Sequence, residues 1–159
     1  MPVTQQLGRK PALLDRINRT IIEQLQQDGR RSYAAIAKEI GLSEAAVRQR
    51  VQRLLDSGVM QVVAVTDPLT VGFNRQAMIG LRVGGDLREV AAKLAQLAEV
   101  DYVVITSGRF DILLEVVCED DEQLLQLLND GIRAVEGVRD TETLVYLRLV
   151  KQTYSWGTR

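Results

Sequence analysis

The chain has 159 residues, 46% of them hydrophobic and 26% charged, with no histidine and a single cysteine, Cys118. That composition suits a soluble protein with one core or two small ones, and it removes the commonest general base, the commonest metal ligand and any intramolecular disulfide. The expectation is a chain that is not an enzyme and holds no metal or cofactor. With no apolar run near the roughly 18 residues of a membrane span and no signal peptide, it is expected in the cytoplasm, away from membranes. Net charge is −1, but residues 1–66 hold 10 basic and 6 acidic side chains and residues 67–159 hold 10 and 15. The first part can approach a polyanion and the second would be repelled by one, so two different tasks are expected.

Residues 1–13 read as an N-terminal arm. From Leu14 to Gln27, Leu14, Ile17, Ile21, Ile22 and Leu25 recur at helical spacing, and Asp28-Gly29 ends the segment. Ser32 can cap a second helix that buries Ile36, Ala37 and Ile40. Gly41-Leu42-Ser43 is a three-residue turn, and Val47, Val51, Leu54 and Leu55 give a third helix its inner face. Residues 14–60 therefore have the form of a helix-turn-helix. The outer face of its last helix presents Ser43, Glu44, Ala45, Arg48, Gln49, Gln52 and Arg53. Arginine and glutamine carry the paired donors that read guanine and adenine edges, and a small alanine permits close approach. Ser43, Glu44, Ala45, Arg48 and Gln49 are placed nearest the bases; Arg30, Arg31, Arg50 and Arg53 suit phosphates. An ordinary amphipathic helix with solvated arginines is the alternative.

Residues 61–75 read as strand and linker. Val59 to Thr66 is β-branched and is expected to form a strand, paired in a small wing, before Asp67-Pro68 breaks it. Alternation over Arg75–Gly84 predicts another strand, and Leu87 to Ala98 a helix capped by Asp86. Val100–Ser107 and Phe110–Cys118 follow as a hairpin around Gly108-Arg109. An acidic start at Glu119-Asp120-Asp121-Glu122 leads a helix running to Gly137. The last strand is expected to reach Lys151. Residues 76–151 then have the order βαββαβ, a ferredoxin-like arrangement with two helices on one sheet face. The other face, with Leu113, Glu115 and Val117 or the complementary set, is too apolar for water, and homodimerisation would cover it. Residues 152–159 form a tail holding the one tryptophan, Trp156. The fold class is α+β: a three-helix winged helix-turn-helix followed by the ferredoxin-like domain.

GLSEAAVRQRVQRLLDSGVM, DPLTVG, SGRFDILLEV and DTETLVYLRLVK, in that order, resemble the leucine-responsive/asparagine-responsive regulator (Lrp/AsnC) family of prokaryotic transcription factors. The resemblance implies a sequence-specific regulator that binds palindromic-like double-stranded DNA, forms homodimers that assemble to tetramers or octamers, and responds to a small-molecule effector, typically an amino acid. It also implies an effector loop at Ser107, Gly108, Arg109, Phe110 and Asp111, lined from a neighbouring subunit by Asp140, Thr141, Glu142 and Thr143. Independently, a glycine turn exposes backbone N–H groups to a carboxylate and Asp111 offers a counter-charge to an ammonium. Plain hairpin chemistry, with Asp111 capping the turn, is the other reading. An architectural DNA-wrapping protein without effector, or an amino-acid-sensing regulatory subunit of an enzyme, are the rival functions.

Overall fold

The computed structural model describes residues 14–153, 157 and 158; the expected N-terminal arm and Trp156 lie outside them. The chain divides into two compact units: residues up to Ala64 together with those from Lys151 onward, and Val65–Val150.

The first unit contains helices α1 (Arg16–Gln27), α2 (Tyr33–Ile40) and α3 (Glu44–Asp56). Each begins on a side-chain cap: Asp15 accepts from Asn18 N at 2.7 Å, Ser32 from Ala35 N at 3.2 Å and Ser43 from Ala46 N at 3.2 Å. Such caps are worth about 1 kcal/mol each. Gly41 ends α2 at φ 72°, a left-handed conformation that glycine adopts without steric cost, and Leu42 N then closes the turn on Ala37 O at 3.0 Å. The core is the expected set, with Ile21, Ile36, Val47, Val51 and Leu54 removed from solvent.

The strand expected over 59–66 does not form. This stretch adopts no regular structure and its valines are exposed, Val63 by 68%. β-branched residues favour a strand only where a neighbouring strand completes the ladder, and none pairs with this segment among the described residues. Among the described residues the first unit thus has three helices and no wing strands.

The second unit follows the expected order: β1 (Arg75–Val83), α4 (Leu87–Leu94), β2 (Val100–Ile105), β3 (Ile112–Cys118), α5 (Asp121–Gln126) and β4 (Val138–Val145). α5 runs on into a π-helical segment, Leu127–Ile132. The strands form one antiparallel sheet in the order β2-β3-β1-β4, so β1 and β3 are central. β4 stops at Val145 rather than near Lys151: beyond it Tyr146 N still donates to Gln76 O of β1 at 2.8 Å, but no further regular pairing follows among the described residues. Ala77, Ile79, Leu81, Ile112, Leu114, Val116 and Cys118 point under the helices and join Val90, Leu94, Leu124, Leu127 and Ile132.

Of the two alternatives for the face without helices, registers select the set with Leu113 and Glu115, joined there by Met78, Tyr102 and Leu144. The Phe110 ring caps Gly80 there: a Cβ at Gly80 would lie 2.7 Å from ring carbons, so only glycine admits the ring. Tyr146 continues the apolar surface beside Glu115, and burial first, then the nearby carboxylate, pushes its phenol up to about 12.

One residue of the first core is out of keeping. Gln24 is buried, and among the described residues neither its amide nitrogen nor its oxygen has a hydrogen-bond partner. An unpaired buried amide costs about 1–3 kcal/mol, so Gln24→Met, which keeps the shape and removes the polar atoms, is expected to raise stability by about 1 kcal/mol. An unchanged or lowered urea midpoint would show that Gln24 is satisfied in solution.

Candidate nucleic-acid interface and effector cleft

Within the three-helix unit, Glu44, Ala45, Arg48, Gln49, Gln52 and Arg53 all lie exposed on α3, on one stripe opposite its buried Val47, Val51 and Leu54. Several are already engaged. The Ser43 hydroxyl caps α3, Arg48 Nη2 donates to Glu44 Oε1 at 2.7 Å, and Gln52 Nε2 donates to Asp56 Oδ1 at 2.7 Å. Arg31 is paired with Glu39. Arg30 and Arg53 have no ion pair among the described residues.

Arg50 behaves differently from the phosphate role expected of it. Its Nη1 donates to Asp15 Oδ2 at 2.7 Å and to Asn18 Oδ1 at 3.0 Å, tying α3 to the start of α1. A groove of about 380 Å³ lies along this tie, lined by Asp15, Asn18, Leu42, Ala46, Gln49, Arg50 and Arg53. Sequence reasoning missed the tie because 35 residues separate the partners.

In the sheet unit the expected effector residues do not all meet. Asp111 is a structural anchor: its N–H donates to Leu81 O at 2.8 Å and its Oδ2 accepts from Val83 N at 2.8 Å, at the irregularity in the β1–β4 pairing. Thr106 secures the loop from the other side, with Oγ1 donating to Phe110 O at 2.6 Å. One oxygen of the Asp111 carboxylate is thus spent on β1 rather than on capping its own turn. Ser107, Gly108 and Arg109 are exposed at the tip. Arg109 reaches across to Glu142 at 2.7 Å and lies 5.2 Å from the Phe110 ring centre, which joins Arg109, Phe110 and Glu142 on the open face.

Thr141 and Thr143 are opposite Leu81 and Ile79, so they occupy the helix-covered side instead. Asp140 Oδ1 accepts from Thr141 N at 2.9 Å. Arg133 Nε donates to the Thr141 hydroxyl at 3.2 Å, and a cleft of about 370 Å³ is lined by Arg133, Val138, Arg139, Asp140 and Thr141. Arg133 had no signal in the sequence, since its bond to Thr141 depends on how the segment after α5 meets β4. Burial raises the Cys118 thiol, away from the thiolate that redox chemistry needs. Among the described residues no acidic or cysteine cluster could hold a metal ion, and no helix is long and apolar enough to cross a membrane.

Residues 14–55 match the AsnC-type helix-turn-helix domain, and residues 73–159 match an AsnC-type C-terminal dimeric α+β barrel domain. The chain belongs to the Lrp/AsnC family of transcriptional regulators. It is 37% identical over 145 residues to an HTH-type transcriptional regulator of Pyrococcus furiosus, covering 90% of this chain and 98% of that one. It is 30% identical over 139 residues to the regulatory protein AsnC of Escherichia coli K12, covering 86% and 91%. The structure of E. coli AsnC aligns with a TM-score of 0.76 at 27% identity, over 89% of this chain and 97% of that one. A Neisseria meningitidis transcriptional regulator in complex with L-Met aligns with a TM-score of 0.76 at 27% identity, over 89% and 95%. These relatives are regulators rather than enzymes. As an Lrp/AsnC regulator the chain binds DNA through its helix-turn-helix, and its sheet unit is of a self-associating type.

The Asp15–Arg50 tie makes a pH prediction. The Asn18 N–H first, and Arg50 second, hold the Asp15 carboxyl below its ordinary 3.8. A carboxylate depressed by folding adds stability at pH values above its unfolded pKa, and that contribution is lost as pH falls through the lower, folded value. Asp15→Asn retains a cap and removes the charge. Between roughly pH 5 and pH 3, its melting temperature should fall less than that of the unaltered chain. Parallel melting curves over that range would mean that Asp15 charge contributes nothing.

Proposed function

We propose that this Lrp/AsnC regulator acts as a homodimer or a higher assembly whose paired heads read an imperfect palindrome, and whose affinity or assembly responds to an amino acid. The observation that carries the DNA part is the α3 stripe of exposed Arg48, Gln49, Gln52 and Arg53 on a separately packed basic unit. Ser43, Glu44, Ala45, Arg48 and Gln49 then lie nearest base edges, while Arg30, Arg31 and Arg53 contact phosphates and Arg50 mainly holds the head together. Two heads related by a two-fold axis engage half-sites about one helical turn apart, roughly 34 Å.

Self-association follows from the open sheet face. Tyr102 and Leu144 are exposed beside Met78, Leu113 and the Phe110 ring, and a second copy offers the matching surface. The effector reading is supported by the neighbouring Neisseria regulator that holds L-Met. It is supported also by the collection of Arg109, Phe110, Asp111, Asp140 and Glu142 near one end of the sheet. Backbone N–H groups of the Ser107-Gly108 turn and the guanidinium of Arg109 suit a carboxylate. The free oxygen of Asp111, with Glu142, suits an ammonium. Thr141 and Thr143, opposite Leu81 and Ile79, stand on the other side of the sheet and take no part in this reading. The cytoplasm is the compartment that fits a regulator acting on DNA.

Two tests separate the parts. In DNA competition, Arg48→Ala should lose discrimination between operator and scrambled duplex. Arg53→Ala should weaken binding to all sequences and flatten the salt slope by about one unit. Unaltered discrimination or slope would remove the corresponding role.

A thermal-shift panel of the common amino acids should show one or two that raise the melting temperature, since a ligand at about a hundred times its Kd adds about 2.7 kcal/mol. Asp111→Asn, which still accepts the Val83 N–H, and Arg109→Ala should abolish the shift. A panel with no response overturns the amino-acid reading and leaves the DNA-binding head unaffected.

A further inference from the structure

Arg48, the arginine best placed to read a base, is held on two sides. Its Nη2 donates to Glu44 Oε1 at 2.7 Å, one turn earlier on α3. Its guanidinium carbon stands 5.2 Å from the centre of the Tyr33 ring, in the first turn of α2. Tyr33 is itself half-buried against the helical core, so it is a platform anchored by packing rather than a mobile neighbour. The frame nonetheless leaves the reading surface open: the side chains of Arg48 and Glu44 are 63% and 50% exposed.

A guanidinium that reads guanine must present two N–H groups in one plane to O6 and N7. An unrestrained arginine surrenders much rotamer freedom when it does so. An aromatic face attracts the cation over a broad area while fixing its plane, and the carboxylate fixes its rotation and occupies only part of its five donors. We propose that Tyr33 and Glu44 are positioning residues, which hold the Arg48 fork ready for a guanine. Tyr33, outside the recognition helix, thereby sets sequence preference without touching a base. The inference rests on Arg48 reading bases, as argued above.

The test selects binding sites from randomised duplex DNA with the full-length chain and its variants, then measures affinity and salt dependence on the selected sites. The base pair whose preference disappears in Arg48→Ala identifies the position that Arg48 reads. At that position Tyr33→Leu should reduce the preference about three- to tenfold, with binding to random DNA and the salt slope unchanged. Tyr33→Phe, which keeps the ring face, should retain the preference, and Glu44→Gln should lower it about twofold. Tyr33→Met serves as a second ringless variant, and thermal melts establish that each head is folded.

If folded Tyr33→Leu and Tyr33→Met keep the full preference while Arg48→Ala loses it, the positioning role is overturned. If Arg48→Ala also keeps it, base reading by Arg48 fails instead.

Discussion

Strand β1 is the constraint on which the sheet unit depends. It pairs with β3 from Arg75 to Leu81 and with β4 from Ala77 to Val83, so its odd-numbered side chains enter the core and its even-numbered ones line the open face. Because side chains alternate with period two, a slip of one residue would exchange these faces. Asp111 pins the register from the hairpin, through backbone and carboxylate bonds to Leu81 and Val83. The same bonds locate the Ser107-Gly108-Arg109 tip. Fold and candidate cleft therefore share one anchor, and a change there that removes the acceptor acts on both.

In the head, the arginines divide by how firmly they are held. Exposed ion pairs such as Arg31–Glu39 and Arg48–Glu44 are worth about 0.2–1 kcal/mol each. A charge-assisted bond to a base or phosphate is worth more than that, so those side chains remain available to DNA. Arg50 differs in having two acceptors at the start of α1. Removing it from them leaves the α1 cap without its cation, which makes it part of the scaffold that orients α3.

The sheet unit joins two demands that pull in opposite directions. Glu115 sits amid apolar neighbours on the open face, yet it accepts from Gln76 Nε2 at 2.9 Å and lies beside the Tyr146 phenol. A carboxylate with partners supplied by its own chain can be covered by apolar surface at far less cost than a bare one. The face can thus be both soluble when open and suitable for a second copy when closed.

Local sequence determined the helix-turn-helix, the βαββαβ order and the alternation along β3, though not which of its two sets faces the core. Each depends on spacing within a few residues: the apolar stripe of α3, the caps at Ser32 and Ser43, the left-handed Gly41, and the alternation through Ile112 to Cys118. Tertiary structure alone decided what requires distant partners. Val59 to Thr66 is strand-like in composition, but a ladder needs a second strand and none pairs with it among the described residues. β4 ended at Val145, well before the Lys151 that its apolar run suggested. The candidate cleft was legible as a set of residue types but not as a geometry. Register placed Glu142 with Arg109 and Phe110 and sent Thr141 and Thr143 to the other side, and long-range hydrogen bonds drew Arg50 and Asp111 into the scaffold. Periodicity carries information about which face a residue occupies; it carries none about what waits across that face.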